Sequence, residues 1–352
     1  MWQKIVEKLK NRNTQIGIAV AFFTFSTAAL VYIYQILYTA NFQVGKKEMY
    51  LYIPQNATFQ TLLDSLEKHK IVHEKLSFAF LAKLMNYQDN IKAGRYKIEP
   101  NMGNLALIRM LRNGEQAPLE VGFHNARVKQ DLAKKVSKYL NFSEAALLSL
   151  LEKPEIAKKY GFDTTNIMCM FLPNTYQLYW TTSPERFLER MHHEYEKFWT
   201  ESQRQKAKKI GLTPIEVGIL ASIVQAESNK EDEKPRVAGV YINRLKKNML
   251  LQADPTVIFA WRDFSIKRVL EKHILINSPY NTYKNKGLPP GPINLPSVAS
   301  INAVLNYETH SYLYFCAKED FSGYHNFAND LATHNRNAQK YQNALNKKGI
   351  YK

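Results

Sequence analysis

A long apolar run near the N-terminus constrains this chain more than any other feature. The run Ile16–Leu37 holds 22 residues and no charge. As a helix it measures about 33 Å, enough for the hydrocarbon core of a bilayer. Basic residues before such a run keep the short tail in the cytoplasm, and here they are Lys4, Lys8, Lys10 and Arg12. We therefore predict a single-pass anchor of the inner (cytoplasmic) membrane within residues 1–45, with everything after residue 45 extracytoplasmic (periplasmic).

The alternative is a cleaved signal peptide. Its apolar region would be shorter and would end in a small-x-small site. Tyr38 puts a bulky ring at the outer position of Tyr38-Thr39-Ala40. The sequence therefore favours a retained anchor.

Length and composition limit the remaining classes. The chain has 352 residues, which predicts two or three domains, and 45% of them are apolar, enough for a real core. Its formal charge of +17 indicates a polyanionic partner such as a wall polymer or anionic lipid, or else simply a solvated lysine-rich surface. Basic runs interleaved with aromatic residues are missing, so nucleic acid is not an expected partner.

The order of local patterns predicts an α+β fold after the anchor. Residues 46–118 alternate short strands with amphipathic helices and form a compact module. Residues 119–205 are mostly helical patterns, and residues 206–352 hold the motifs that could carry chemistry. The catalytic core of this last region is expected to be a mixed α/β domain.

One carboxylate stands out by its position. Thr213-Pro214-Ile215-Glu216 is a strong helix start, with a capping box and proline in the first turn. The helix that follows is apolar nearly all round, so it should be buried, and it ends at Glu227. Apolar surroundings and the negative end of the helix dipole should raise the pKa of Glu227. A carboxyl kept protonated near neutral pH is what a general acid needs; the alternative is an exposed residue where the helix meets solvent.

Other candidates are weaker when taken singly. Arg244 could bind an anionic sugar substituent or fix a carboxylate, and loops rich in Pro, Tyr, Asn and Thr suit carbohydrate. The cluster Glu231-Asp232-Glu233 is explained by a helix N-terminus alone, and His325 and His334 are expected to be structural or surface residues. No motif implies a metal or organic cofactor. Cys169 and Cys316 could pair outside the cytoplasm, although the sequence gives no distance between them.

Seven short motifs follow one another in the C-terminal part of the chain. They are IVQAES, RVAGVYINRL, LQADPTVIF, SPYNTY, GLPPGPI, LYFCAK and LATHNR. Together they resemble the endolytic murein transglycosylases, also described as MltG-like or YceG-like. The resemblance covers the chain from about residue 46 to its end. The segments IPQNATF and IKAGRYKI are similar to the LysM-like N-terminal part of that family.

The resemblance implies a set of site residues. Glu227 corresponds to the catalytic glutamate of the family, and Glu227-Ser228 is similar to the Glu-Ser pair of other lytic transglycosylases. The further positions that match residues around the family's cleft are Ser228, Asn243, Arg244, Gln252, Asp254, Thr256, Tyr280, Asn281 and Tyr283. The resemblance also implies penicillin-binding synthases as partners, besides the glycan strands of peptidoglycan.

Two segments depart from the family pattern. A glutamate usual before Phe-Pro-Asp-Thr-Tyr is absent from Met168-Cys169-Met170-Phe171-Leu172-Pro173. After GPI, the residues Asn294-Leu295-Pro296-Ser297 replace the usual Cys/Ala-Asn-Pro-Gly. We expect the second change to reshape one rim of the cleft.

Three hypotheses follow. The first is a lytic transglycosylase that cleaves the bond from N-acetylmuramic acid to N-acetylglucosamine, forms 1,6-anhydro ends and helps to terminate nascent strands, with Glu227 as acid and then base. The second is a hydrolytic muramidase with Asp254 or Glu231 as its second carboxylate. The third is an anchored, catalytically silent scaffold that binds glycan.

Overall fold

The computed structural model describes residues 12–42 and 49–349. The predicted cytoplasmic lysines and the predicted domain boundary at residue 45 lie outside the described residues. The described chain mixes α-helices with short antiparallel strand pairs and divides into two compact units. The first unit runs to Leu119 and adds Gln177–Thr181; the second holds Glu120–Tyr176 and the chain from Thr182 onward.

The apolar run is helical, as predicted. Helix α1 (Arg12–Tyr38) has 27 residues, and none of its side chains is buried. Its length and composition suffice for a membrane span. The helix therefore has the length that the predicted span requires, and the rest of the described protein does not bury its central turns.

The first unit packs three helices against two strand pairs. Strand β2 pairs with β3 so that Met49 lies opposite Ile98 and Ile53 opposite Gly94. Alternate side chains of these strands, such as Leu51 and Tyr96, enter the core. The elements are β1 (Ala40–Phe42), β2 (Met49–Ile53), α2 (Phe59–Lys68), α3 (Lys75–Leu84), β3 (Gly94–Ile98), β4 (Met102–Gly103, paired with β1) and α4 (Asn104–Asn113).

A buried amide pair joins the end of α1 to this unit. Asn104 is 1% exposed, and its Nδ2 donates to the carbonyl of Ile36 at 2.9 Å. Its Oδ1 accepts from Nδ2 of Asn41 at 2.7 Å. Because buried amides are costly without partners, these bonds fix the last turns of α1 on the folded unit.

The second unit is mainly helical. Its elements are β5 (Leu119–Phe123), α5 (Lys129–Val136), α6 (Glu144–Leu151), α7 (Pro154–Lys159), a 3-10 turn (Ile167–Met170), β6 (Asn174–Leu178), α8 (Pro184–Phe198), α9 (Glu201–Lys209), α10 (Pro214–Glu227), α11 (Lys234–Lys246), α12 (Asp254–Trp261), α13 (Glu271–Ile274), α14 (Val298–Leu305), β7 (Tyr314–Ala317), β8 (His325–Ala328) and α15 (Leu331–Lys347). Strand β5 pairs with β6, and β7 with β8. The boundary of the units falls at the ends of β5 and β6.

Helix α10 is the central element of the second unit. The predicted capping box is present: Thr213 Oγ1 accepts from the Glu216 N–H at 3.2 Å, and Glu216 Oε2 accepts from the Thr213 N–H at 2.7 Å. Every residue from Val217 to Val224 is buried, and the helix packs against α11 and α14. An all-round apolar helix thus delivers its last residue, Glu227, to the surface of the core.

Candidate functional site

Glu227 is held in a defined position by one hydroxyl group. Tyr241, 1% exposed in α11, donates its O–H to Glu227 Oε1 at 2.6 Å. Burial raises the pKa of Glu227 to about 7, opposed by the Tyr241 hydrogen bond and assisted by the negative charge of Asp254. The rise agrees with the prediction from sequence, and burial is its main physical cause. A carboxyl with this pKa is partly protonated at neutral pH and can serve as acid or base.

Asp254 shares the cavity of Glu227. It stands at the first position of α12, and its Oδ1 accepts the Tyr283 hydroxyl at 2.5 Å. Burial also raises the pKa of Asp254, whereas the bond from Tyr283 lowers it. Asp254 therefore has a fixed partner and acts on Glu227 through its charge.

Arg244 uses its donors on the protein itself. Its Nε donates to the carbonyl of Leu313 at 2.6 Å, and its Nη1 to the carbonyl of Leu251 at 2.8 Å and to Gln252 Oε1 at 3.3 Å. Gln252 has a left-handed backbone (φ 49°), a conformation that needs such support in a residue other than glycine. Among the described residues, the partners of these donors are backbone carbonyls and an amide oxygen, so Arg244 does not fix a carboxylate, the second of the roles predicted for it. Its bonds join the segment before α12 to β7.

Ser228 faces a second buried carboxylate. Its Oγ donates to Glu233 Oε2 at 3.1 Å, and Glu233 is only 3% exposed. The two oxygens of Glu233 also lie 2.8 Å from the backbone N and 2.7 Å from Nδ1 of His325 in β8. Glu233 thus links the turn after α10 to the β7–β8 pair. The sequence explanation of the acidic cluster as a helix N-terminus was therefore incomplete.

Two of the predicted residues shape the loop that carries Tyr283. Asn281 is fully buried; its Nδ2 donates to the carbonyls of Ile274 and Ile276, and its Oδ1 accepts from the Tyr283 N–H at 3.0 Å. Thr256, also fully buried, has its Oγ1 2.8 Å from that of Thr282. These side chains position Tyr283 without lining its cavity.

Two other predicted residues lie away from Glu227. Asn243 donates to the carbonyls of His310 and Tyr312, and so fixes the chain that enters β7. The Tyr280 ring packs on Phe259, with 4.8 Å between centroids. Of the ten predicted residues, Glu227, Arg244, Gln252, Asp254 and Tyr283 line the cavity.

The cavity at Glu227 has a volume of about 420 Å³. Its far wall comes from β7, β8 and α15, which the sequence analysis did not connect with Glu227. His325 and His334, expected to be structural or surface residues, both line it. The other lining residues that sequence reasoning missed are Tyr241, Leu251, Tyr314, Phe315, Cys316, Ala317 and Leu331.

A second cavity has a volume of about 340 Å³. It is lined by Ala226, which precedes Glu227, and by Pro255, which follows Asp254. Arg127 and Phe264 form part of its wall, with the guanidinium 4.5 Å from the ring centroid. The linings of the two cavities therefore meet in sequence at Ala226-Glu227 and at Asp254-Pro255.

The two departures from the family pattern lie apart. Cys169 is buried under α10, where its Sγ would be 3.2 Å from a Cβ on Gly218. Asn294 lines the second cavity, and its Nδ2 donates to the carbonyl of Ser222 in α10. The second departure thus contributes to a cavity lining, while the first is part of the core.

The two cysteines do not form a disulfide in the structure. Cys169 and Cys316 are both free thiols in the structure. Within residues 12–42 and 49–349, no three His, Cys, Asp or Glu side chains are grouped to hold a metal ion.

Comparisons with known proteins agree with this architecture. A family model described as the YceG-like family matches residues 51–340. A crystal structure of a yceG-like protein from Listeria monocytogenes superposes with a TM-score of 0.55 and 27% identity, covering 83% of this chain and 99% of that one.

Curated relatives carry one name. A protein of Bacillus subtilis called endolytic murein transglycosylase is 27% identical over 86% of this chain and 88% of its own length. A protein of the same name from Streptococcus pneumoniae is 28% identical over 85% of this chain. The match spans 59% of the pneumococcal protein's length.

Proposed function

The chain belongs to the YceG-like family, and we propose that it is a membrane-anchored endolytic murein transglycosylase in which Glu227 is both general acid and general base. The resemblance found in the sequence is confirmed by the family match and by relatives named for this activity. The enzyme class, a peptidoglycan lytic transglycosylase, follows from the same relatives. The role of each residue, the anchoring and the partners belong to the proposal.

One observation carries the assignment of Glu227. It is a carboxyl with a pKa of about 7, oriented by Tyr241 at 2.6 Å and open to a cavity. In its protonated form it donates to the oxygen of the β-1,4 bond between N-acetylmuramic acid and N-acetylglucosamine. The bond breaks as an oxocarbenium-like centre develops at the muramyl anomeric carbon.

The same carboxylate completes the reaction. It takes the proton of the muramyl 6-hydroxyl, whose oxygen attacks the anomeric carbon and forms the 1,6-anhydro ring. The proton returns to Glu227, and no water is consumed. One carboxyl group therefore suffices where ordinary glycosidases need two.

The surrounding residues support this chemistry by position and charge. Tyr241 keeps its proton because burial raises its pKa well above the usual value, so it remains a donor to Glu227. Asp254 disfavours ionisation of Glu227 and thus helps to keep the acid protonated. Tyr283, Tyr314 and His325 offer ring faces and polar atoms for the sugar on one side of Glu227.

The second cavity would accept the sugar on the other side of the cleaved bond. It combines apolar rings with amide side chains and a guanidinium, a mixture suited to an N-acetylated, acidic polymer. Two hollows, one lined by Glu227 and the other by its neighbour Ala226, would suit a strand that continues in both directions, as endolytic cleavage requires.

Location and partners extend the proposal. Helix α1 would anchor the chain in the cytoplasmic membrane with the second unit outside, near nascent strands, where cleavage terminates elongation. The first unit would act as the LysM-like module implied by its motifs. Penicillin-binding synthases are the partners that the family resemblance implies.

A hydrolytic muramidase is the second candidate, because Asp254 lies in the same cavity as Glu227. Glu231 does not line that cavity; it pairs with Lys234 at 2.7 Å. A hydrolase would use Asp254 to stabilise or trap the oxocarbenium centre and would deliver water to it.

The deciding experiment is a digest of purified peptidoglycan by the detergent-solubilised full chain, beside Glu227→Gln. We expect 1,6-anhydromuramyl ends by mass spectrometry, and none from the variant. Reducing ends, heavier by one water, would instead establish the hydrolase. Binding without cleavage by the unaltered chain would establish a scaffold and overturn the proposal.

A further inference from the structure

Helix α3 exposes an apolar stripe on the surface of the first unit. Leu76, Phe80 and Leu84 are 78%, 59% and 68% exposed. Their spacing of four residues puts them on one helix face, while the opposite face buries Phe78 and Leu81 in the core. Large exposed apolar side chains that follow one helix face indicate a surface that is covered by something else.

The stripe belongs to a helix that is joined to the end of α1. Ser77 Oγ in α3 accepts from Asn104 Nδ2 at 3.1 Å, and the same amide group donates to the carbonyl of Ile36 in α1. One turn earlier, the carbonyl of Glu74 accepts from Asn41 Nδ2 at 2.8 Å. The first half of α3 therefore lies beside the last turns of α1.

Those turns of α1 have the composition of a membrane–water boundary. Tyr32, Tyr34 and Tyr38 are 63%, 63% and 58% exposed, and the apolar run ends at Leu37. Tyrosine rings concentrate at the level of the lipid headgroups. The point at which α3 contacts α1 is thus the point at which α1 would leave the bilayer.

Charge on α3 also fits a lipid surface. Lys83 is exposed next to Leu84, whereas the ammonium of Lys75 is paired with Glu67 at 2.6 Å. Helices that lie in the membrane interface combine an apolar stripe with lysines that reach anionic headgroups. A second copy of the chain would cover the stripe too, but it would not account for the position of the stripe at the end of a span.

We propose that α3 is an interfacial helix, with Leu76, Phe80 and Leu84 immersed in the outer leaflet of the membrane that α1 crosses. The first unit then contacts the bilayer at two places, through the span and through the apolar stripe. This inference rests on the proposed anchoring by α1, and it is independent of the role of Glu227.

The test uses the full chain in nanodiscs of phosphatidylethanolamine and phosphatidylglycerol. The photoreactive residue p-benzoylphenylalanine replaces Leu76, Phe80 or Leu84 singly, and lipid adducts are measured by mass spectrometry. Phe25, 75% exposed in the middle of α1, is the positive control. Arg112, exposed near the far end of α4 and about 12 Å along that helix from Asn104, is the matched surface control.

We expect lipid adducts at the stripe about fivefold or more above those at Arg112. Stripe yields equal to those at Arg112, with strong adducts at Phe25, would overturn the interfacial helix and leave the anchor intact. Adducts between two protein copies at the stripe would overturn it in favour of a dimer. Absence of lipid adducts at Phe25 would overturn both the interfacial helix and the proposed anchor. The proposed activity does not depend on this result, because cleavage of peptidoglycan is measured in a separate experiment.

A second readout does not depend on crosslinking chemistry. In nanodiscs with lipids brominated near the headgroup, the bromine atoms should quench tryptophan fluorescence more strongly in Phe80→Trp than in Arg112→Trp. Both variants keep the native tryptophans, so the difference reports the introduced residue. Equal quenching of the two variants would contradict the proposal.

Discussion

The Tyr241 hydroxyl donates to Glu227 Oε1 at 2.6 Å, from a side chain that is itself buried. This bond stabilises the ionised form of Glu227 and so opposes the effect of burial on its pKa. The balance of the two sets the pH range in which Glu227 can act as an acid.

The first prediction is the pH dependence of cleavage. A general acid must be protonated, and ionisation of Glu227 removes that proton as pH rises through about 7. We therefore expect kcat/KM to fall above this pH. Rates of anhydro-end formation across a pH series measure this fall, the basic limb of the pH profile. A rate that still rose well above pH 7 would contradict Glu227 as the acid.

Tyr241→Phe should move that limb upward. Loss of the hydroxyl removes a hydrogen bond to a charged acceptor, worth about 1.5–3 kcal/mol, so the pKa of Glu227 should rise by about one unit or more. Tyr139→Phe on the exposed surface is the control and should leave the limb in place. An unchanged limb in the Tyr241 variant would show that the bond does not tune the acid.

Asp254→Asn separates the two enzyme hypotheses. The amide oxygen can still accept from Tyr283, but the negative charge that raises the pKa of Glu227 is gone. A transglycosylase should keep its anhydro product with a loss of about tenfold, and its limb should move to lower pH. A loss of about a thousandfold or more would instead indicate a second catalytic carboxylate.

Glu233→Gln should destabilise the second unit. Glu233 is 3% exposed and contacts both Ser228 and His325, so the change weakens bonds to a buried charge by about 2–4 kcal/mol. Glu120→Gln is the control, because Glu120 is exposed on strand β5. Thermal unfolding should show a Tm lower by about 5–10 °C for the first variant and nearly unchanged for the second.

Gly239→Ala tests the packing of α11. A Cβ there would lie 2.5 Å from the carbonyl oxygen of Glu308 and 2.5 Å from His310 Nε2, so the backbone must shift. We expect a loss of about 2 kcal/mol or more in the free energy of unfolding. Gly122→Ala meets Thr175 Oγ1 at 3.4 Å, an ordinary contact, and should be tolerated. Equal losses of unfolding free energy for the two variants in denaturant titrations would contradict the close packing of Gly239 against Glu308 and His310.

Local sequence signals predicted the part of the site that lies on α10. The capping box at Thr213, the apolar helix and its end at Glu227 are all read within a few turns, and the structure has each of them. The raised pKa follows from the same local burial. These features can be predicted because the spacing of apolar residues along the sequence indicates directly which faces of a helix are buried.

The opposite wall could not be found in this way. His325 and His334 reach the cavity because β8 and α15 return to α10 from about a hundred residues further along the chain. Glu233 is similar: the acidic cluster reads as a helix start, and only the distant His325 shows why one of its carboxylates is buried. Single-sequence patterns carry no distance between such segments.

The amide bonds from Asn104 to Ile36 and Asn41 have a mechanical consequence. A flexible linker would let the first unit rotate freely relative to α1, whereas these hydrogen bonds fix it to the last turns of that helix. If α1 tilts or turns in the lipid, the first unit must follow as one body. In the proposed anchored state, the first unit therefore stays at a fixed level relative to the bilayer, and it can contact glycan strands only at that level.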